Sequence, residues 1–240
     1  MMNKLFFLLF STVLIGCQSG ESSKVLDNIR KEYAPDKRVA LLNISPIFSA
    51  GKVELEGETN LPQAKAELIE SYRSLGLKVI DHVKILPSPT LQGKHFGIVN
   101  VSVSNMRSNP KTGELPDHDL ELSTQAILGT PLRVLKDTAG FYLVQTPDDY
   151  LGWLDDGGFT LMDSAAYQNW MQSERAVCLE DYVFAYEQPD EKSQKVSDLV
   201  AGSILQVVES QGNFIKIRFP DGRLGYVPAG KMMPLEQWLA

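Results

Sequence analysis

The chain has 240 residues, a formal net charge of −7 and a hydrophobic content of 43%. That apolar share belongs to a globular protein rather than a disordered one, and the acidic balance makes a nucleic-acid backbone a poor partner. Two cysteines, Cys17 and Cys178, and three scattered histidines, His82, His95 and His118, provide no disulfide framework and no metal-ligand spacing, and nothing implies a cofactor.

The chain opens with Lys4 and an almost unbroken apolar run from Leu5 to Ile15, too short to span a bilayer as a stable helix. The run ends Leu14-Ile15-Gly16-Cys17, which resembles a bacterial lipobox. On that resemblance residues 1–16 form a lipoprotein signal peptide, and a lipid on Cys17 anchors the chain to a bacterial membrane in the cell envelope, facing the periplasm. Residues 17–36 are polar and read as a linker, helical in part near Val25–Tyr33.

Residues 37–90 read as a small α+β unit of order β-β-α-β. "KRVALLNIS", "KVELEGE" and "KVIDHVKIL" have strand character. "NLPQAKAELIESYRSLG" reads as a helix, with Asn60 as its cap, Pro62 in its first turn and Gly76 at its end. Ala64, Leu68, Tyr72 and Leu75 fall on one face. Two prolines and a glycine in "LPSPTLQG" (86–93) mark a boundary.

Two copies of one pattern follow, the first within 97–162 and the second within 177–230, joined by a connecting helix in 163–176. The phrase "TPDDYLGWL" (146–154) recurs as "FPDGRLGYV" (219–227), and Gly129, Leu132 and Val134 match Gly202, Leu205 and Val207 at the same offset. Short alternating strands broken by Gly, Pro and Asp favour a small β-barrel. Tyr142 and Val144, like Ile215 and Ile217, alternate into a core. Gly152 and Gly225 permit a close backbone approach, and Trp153 and Tyr226 supply a large apolar side chain. The closing strands resemble those of the bacterial SH3-like (SH3b) domain. The expected fold is therefore mainly β: two tandem SH3b barrels preceded by the β-β-α-β unit. Residues 231–240 read as the start of a helix opened by Pro234.

No catalytic residue is expected. Cys178 lies in an apolar strand-like run, where thiols are inert. Binding has three candidates. Tyr150 stands where the second copy has Arg223, so the fold accepts a ring or a charge there, and the side chain is expected to face solvent. Glu121, at the end of a loop enlarged relative to the second copy, suits an ammonium, or is one more solvated acid beside Asp117 and Asp119. Arg107 suits a carboxylate, from a ligand or from a nearby Asp.

The order of these parts, with "NVSVSNMRSNP", "ELSTQAILGTPL" and "PDDYLGWLDDGG", resembles the N-terminal part of a Bacteroidetes-type NlpC/P60 cell-wall peptidase, a γ-D-glutamyl-L-diamino acid endopeptidase also called dipeptidyl-peptidase VI. In that family a separate cysteine peptidase domain cuts, and the first barrel helps to build the substrate cleft. The resemblance implies that Glu121 and Tyr150 clamp the amine of a peptidoglycan stem peptide of the L-Ala-γ-D-Glu type. The sequence ends at "GKMMPLEQWLA", where the family's peptidase domain would begin, so a chain without its own cutting residues is expected. Three functions fit: a wall-binding lipoprotein, the gating half of a peptidase encoded elsewhere, or a lipoprotein that docks a protein partner.

Overall fold

The computed structural model describes residues 18–110 and 122–240. Its first helix, α1 (Gln18–Tyr33), contains the helix expected near Val25–Tyr33, but the segment is packed rather than a free linker: Leu26 and Ile29 are buried in the core of the first unit. A helix that is polar except for one narrow stripe needs only that stripe covered. Here α2 (Pro62–Ser74) and the sheet cover it, and Tyr33 Oη donates to Glu67 of α2 at 2.6 Å.

The sheet of this unit runs β1 (Leu42–Ser49), β2 (Lys52–Thr59), β3 (Lys78–Ile85). β1 and β2 form an antiparallel hairpin. β2 and β3 are parallel, a pairing that requires a crossover, and α2 is that crossover. Ala64, Leu68 and Tyr72 of α2 are fully buried against the sheet, as their spacing predicts, and Gly76 takes the left-handed conformation that ends the helix. Two local expectations fail. Asn60 does not cap α2; its Oδ1 accepts from the Leu41 amide at 2.9 Å, a backbone donor just before β1 that would otherwise lack this partner, while Thr59 Oγ1 accepts from the Leu61 amide at 3.0 Å. The first strand begins at Leu42 rather than near Lys37, and residues 37–41 turn towards the next unit.

Both copies are barrels of seven strands. The first contains β4 (Phe96–Val99), β5 (Val103–Arg107), β6 (Leu122–Ile127), β7 (Pro131–Thr138), β8 (Phe141–Gln145), β9 (Leu151–Asp155) and β10 (Phe159–Met162), in the order β10-β4-β7-β8-β9-β5-β6. The second contains β11 (Arg175–Cys178), β12 (Tyr182–Tyr186), β13 (Lys195–Val200), β14 (Ile204–Gln211), β15 (Phe214–Arg218), β16 (Leu224–Pro228) and β17 (Met232–Pro234), in the order β17-β11-β14-β15-β16-β12-β13. Strand for strand the two orders are the same, so the repeated sequence encodes a repeated topology. The second barrel is larger than the expected span 177–230. It starts at Arg175, and the segment 232–234, expected to lead into the helix opened by Pro234, pairs with β11. Only Leu235–Leu239 is helical there (α4).

The first unit is welded to the outer face of β7–β9. Leu41 and Leu86 pack with Leu135, Leu143, Leu151 and Trp153. The Ser88 amide donates to the Leu135 carbonyl at 2.7 Å, Thr90 Oγ1 donates to Asp137 at 2.8 Å, and Lys136 pairs with Glu58. This corrects the role of Trp153. Its neighbour Leu154 points into the barrel core, so strand alternation sends the indole outward, half-buried against the first unit with Lys136 5.2 Å from its centroid.

The connecting helix is α3 (Ser164–Gln172), capped by Asp163, whose carboxylate accepts from the Ala166 amide at 2.8 Å. It lies on the first barrel through Trp170 beside Ile98 and Met162, and Tyr167 stacks on Phe96 at 4.5 Å. The barrels also touch directly. Leu128, in the β6–β7 turn of the first, is buried in the core of the second, and its carbonyl accepts from the Ile204 amide at 2.9 Å. Burial of one leucine contributes about 1.5–3 kcal/mol. Gly129 has φ +87°, and a Cβ there would lie 2.2 Å from the Ile204 carbonyl oxygen.

Candidate functional site

The repeated phrase folds into the same turn twice. In the first barrel the Thr146 amide donates to the Tyr150 carbonyl at 3.0 Å, and the Asp149 amide donates to the Thr146 carbonyl at 2.9 Å. In the second, the Phe219 amide donates to Arg223 at 2.9 Å and the Gly222 amide to Phe219 at 3.0 Å. Pro147 and Pro220 preset the first corner. Asp149 (φ +64°) and Gly222 (φ +90°) take the left-handed position that the turn demands, a conformation that glycine and Asx residues tolerate best. After each turn Gly152 or Gly225 enters the closing strand. A Cβ on Gly152 would lie 2.8 Å from Met106 Cε, and one on Gly225 would lie 3.1 Å from the Ala185 Cβ. Fold explains everything the two phrases share.

The residue that differs behaves differently in each copy. Tyr150 is half-buried and packs against the core of the first barrel, not wholly towards solvent as expected, because a ring carries apolar surface that gains from that contact where a guanidinium does not. Arg223 stays at the surface and is engaged throughout. Its Nε donates to Asp221 at 2.6 Å, its guanidinium lies 4.6 Å from the Phe219 ring centroid, and Nη2 donates to the Asn100 carbonyl of the first barrel at 2.9 Å. Arg223 is thus a clamp between the barrels. Nothing local in the sequence signals this, since its partner is 123 residues away.

Arg107 ends β5, half-buried, opposite Trp153 of β9 on one side and Leu122 of β6 on the other. A β-bulge between Met106 and Arg107 bends the strand at that point. Arg107 and Leu122, which flank residues 108–121, therefore pair with each other, and Arg107 also pairs with β9, the strand that follows Tyr150. Glu121 itself, like Cys17, lies outside the described residues.

The turn carrying Tyr150 also touches the first unit. The Leu151 amide donates to the Arg38 carbonyl at 2.6 Å. Gln145 Nε2 donates to both the Val39 and the Asp149 carbonyls at 3.0 Å. Sequence reading missed this loop, whose only signal is Asp36, an Asx-turn former that accepts from the Arg38 amide at 2.9 Å.

Cys178 is buried in the second barrel with Sγ 3.6 Å from the Glu180 carbonyl, and burial pushes its thiol up. A thiolate nucleophile is disfavoured in that setting. Among the described residues no group of three or more His, Cys, Asp or Glu could hold a metal ion, and no helix is long and apolar enough to cross a membrane.

Residues 115–158 match the bacterial dipeptidyl-peptidase SH3 domain, and residues 181–231 match the bacterial SH3 domain. Among solved structures the chain is similar to an NlpC/P60 family protein from Bacillus cereus, with 14% identity and a TM-score of 0.48 over 57% of this chain and 55% of that one. It is also similar to an NlpC/P60 endopeptidase from Photobacterium damselae subsp. piscicida, with 18% identity and a TM-score of 0.43 over 62% of this chain and 35% of that one. The matched region thus spans about half or less of those proteins' own length. No curated protein matches the chain. The repeated barrel, its repeated turn and the two domain matches agree: this chain carries two tandem bacterial SH3 domains, the first matching the SH3 domain of bacterial dipeptidyl-peptidases.

Proposed function

We propose that this protein is a membrane-anchored, non-catalytic cell-wall binding protein whose first barrel takes peptidoglycan stem peptides of the L-Ala-γ-D-Glu type. One observation carries the reading. The barrel that matches the dipeptidyl-peptidase SH3 domain is the one in which the variable turn position holds a partly exposed ring, and both Glu121 and Tyr150 fall within the matched span. A carboxylate and a ring face together suit a peptide ammonium, and Arg107 at the same barrel edge suits a carboxylate. In the second barrel the equivalent position is spent on holding the barrels together, which supports a supporting role for that copy. The lipid on Cys17 would place the site at the membrane face of the envelope.

Retention of the full chain on purified peptidoglycan at physiological salt tests the reading, and absence of retention refutes it. Titration with the L-Ala-γ-D-Glu dipeptide should show weaker binding for Tyr150→Ala and for Glu121→Gln. Loss of membrane association in Cys17→Ala tests the anchor. A second reading, substrate gating for a cysteine peptidase domain of the NlpC/P60 kind, is favoured by α4, where Trp238 (54% exposed) and Leu239 (70% exposed) offer apolar surface for docking. Co-purification of the chain with such a domain would support it.

A further inference from the structure

The loop between α1 and β1 reaches the site from another unit. Its Arg38 and Val39 carbonyls are bonded to Leu151 and Gln145, the residues that flank the Tyr150 turn on both sides. Backbone contacts on both flanks fix where the Arg38 side chain starts. Asp36 fixes where it points: its carboxylate accepts from Arg38 Nε at 3.0 Å and from Nη2 at 2.7 Å, so Nη1 lies outside the pair. The Arg38 side chain is 66% exposed, which leaves it open to a ligand. The Asp36 carboxylate holds Arg38 above its ordinary value, so the fork stays charged. A cation fixed in this way, on a loop bonded to the Tyr150 turn and turned to solvent, is pre-organised for a planar anion.

We propose that Arg38, carried by the α+β unit, is a specificity-determining residue of the first barrel's site and recognises a free carboxylate on the bound peptide. The inference rests on the stem-peptide reading of that site and assigns the α+β unit a part in recognition. In a γ-linked D-glutamyl peptide the α-carboxylate is free, so L-Ala-γ-D-Glu carries the group that Arg38 selects. The amidated form, L-Ala-γ-D-isoglutamine, lacks the charge.

Calorimetric titration of the full chain with each dipeptide tests this. Wild type should prefer the free acid by about three- to tenfold, the range spanned by exposed and partly desolvated charge-assisted pairs. Arg38→Gln should lose that preference while still binding the amide as before, which also shows that the site remains folded. Arg38→Lys should retain a weaker preference, since a point charge replaces a fork. Equal acid-to-amide ratios in wild type and Arg38→Gln would overturn the role of Arg38 while leaving the stem-peptide reading intact. Failure of wild type to bind either dipeptide would overturn both.

Discussion

Three glycines share one backbone conformation and differ only in what surrounds them, and together they measure how firmly the barrels are joined. Gly140, Gly202 and Gly129 have φ of +81°, +84° and +87°. An alanine at any of them meets the left-handed penalty of about 1–2 kcal/mol. At Gly140, in the β7–β8 hairpin, a new Cβ would have nothing within 4 Å, so that penalty is the whole effect. At Gly202 it would lie 3.0 Å from Ile127 Cδ1, the tip of a side chain that can move, and only a little more is lost. At Gly129 it would lie 2.2 Å from the Ile204 carbonyl oxygen and 2.9 Å from the carbonyl carbon, backbone that is itself bonded to Leu128. The second barrel must then retreat. Overpacking adds about 1–3 kcal/mol, so Gly129→Ala should cost roughly 2–5 kcal/mol in all. Urea unfolding of the three variants ranks them. Hydrogen exchange should show the Ile204 amide losing protection in Gly129→Ala alone. If Gly129→Ala is no worse than Gly140→Ala, the turn does not pack on the second barrel, and the account of the barrel interface is wrong.

Other outcomes follow from particular contacts. Trp153→Ala should destabilise by roughly 1.5–2.5 kcal/mol, about half the cost of a fully buried aromatic, and should raise exchange in 86–91 as the first unit loosens. Leu154→Ala, a true core deletion, should cost about 2–5 kcal/mol. Cys178 should resist alkylation in the native state and react only as fast as the second barrel opens; rapid labelling would contradict its burial. Tyr33 is raised to about 12 by its hydrogen bond to Glu67. A group raised in the folded state stabilises fully below its unfolded value near 10 and loses that effect as pH rises through about 12. Absorbance titration at alkaline pH should show Tyr33 among the late tyrosines, with Tyr72 and Tyr167, which burial pushes up, and Glu67→Gln should bring down the Tyr33 ionisation alone. Tyr150→Phe, which keeps the packed ring flank, should melt like wild type, whereas Tyr150→Ala should melt somewhat lower because that flank is half-buried.

Much of the fold is legible in the sequence because its determinants are local. The turn residues Pro147 and Pro220, the left-handed glycines and the alternation of Val144 and Ile217 each act over a few positions, and each sits where its pattern predicts. What fails is what depends on a distant partner. The α1 helix looks like a spacer because its apolar stripe is narrow and becomes informative only beside α2. Trp153 looks like core because outward-facing aromatics are uncommon until another unit covers them. Asn60 has a local use and a distant one, and the distant one wins. The same distinction governs the site. Tyr150 and Arg107 stand out in the sequence by type and position, and the register sets Arg107 opposite Trp153, three positions beyond Tyr150. Arg38 and Arg223 do not stand out, because each acts by crossing between units whose docking no short pattern encodes.

Leu128 makes the two barrels poor candidates for exchange as independent modules. A recombinant second barrel begun at residue 177 and ended at 230 would keep most of its strands and its domain match. It would carry a leucine-sized hole, worth roughly 2–5 kcal/mol, and would lose the pairing of Met232–Pro234 with β11. Shuffling such copies among proteins therefore transfers a fold that is incomplete unless the preceding turn travels with it. The packing unit in this molecule is the pair.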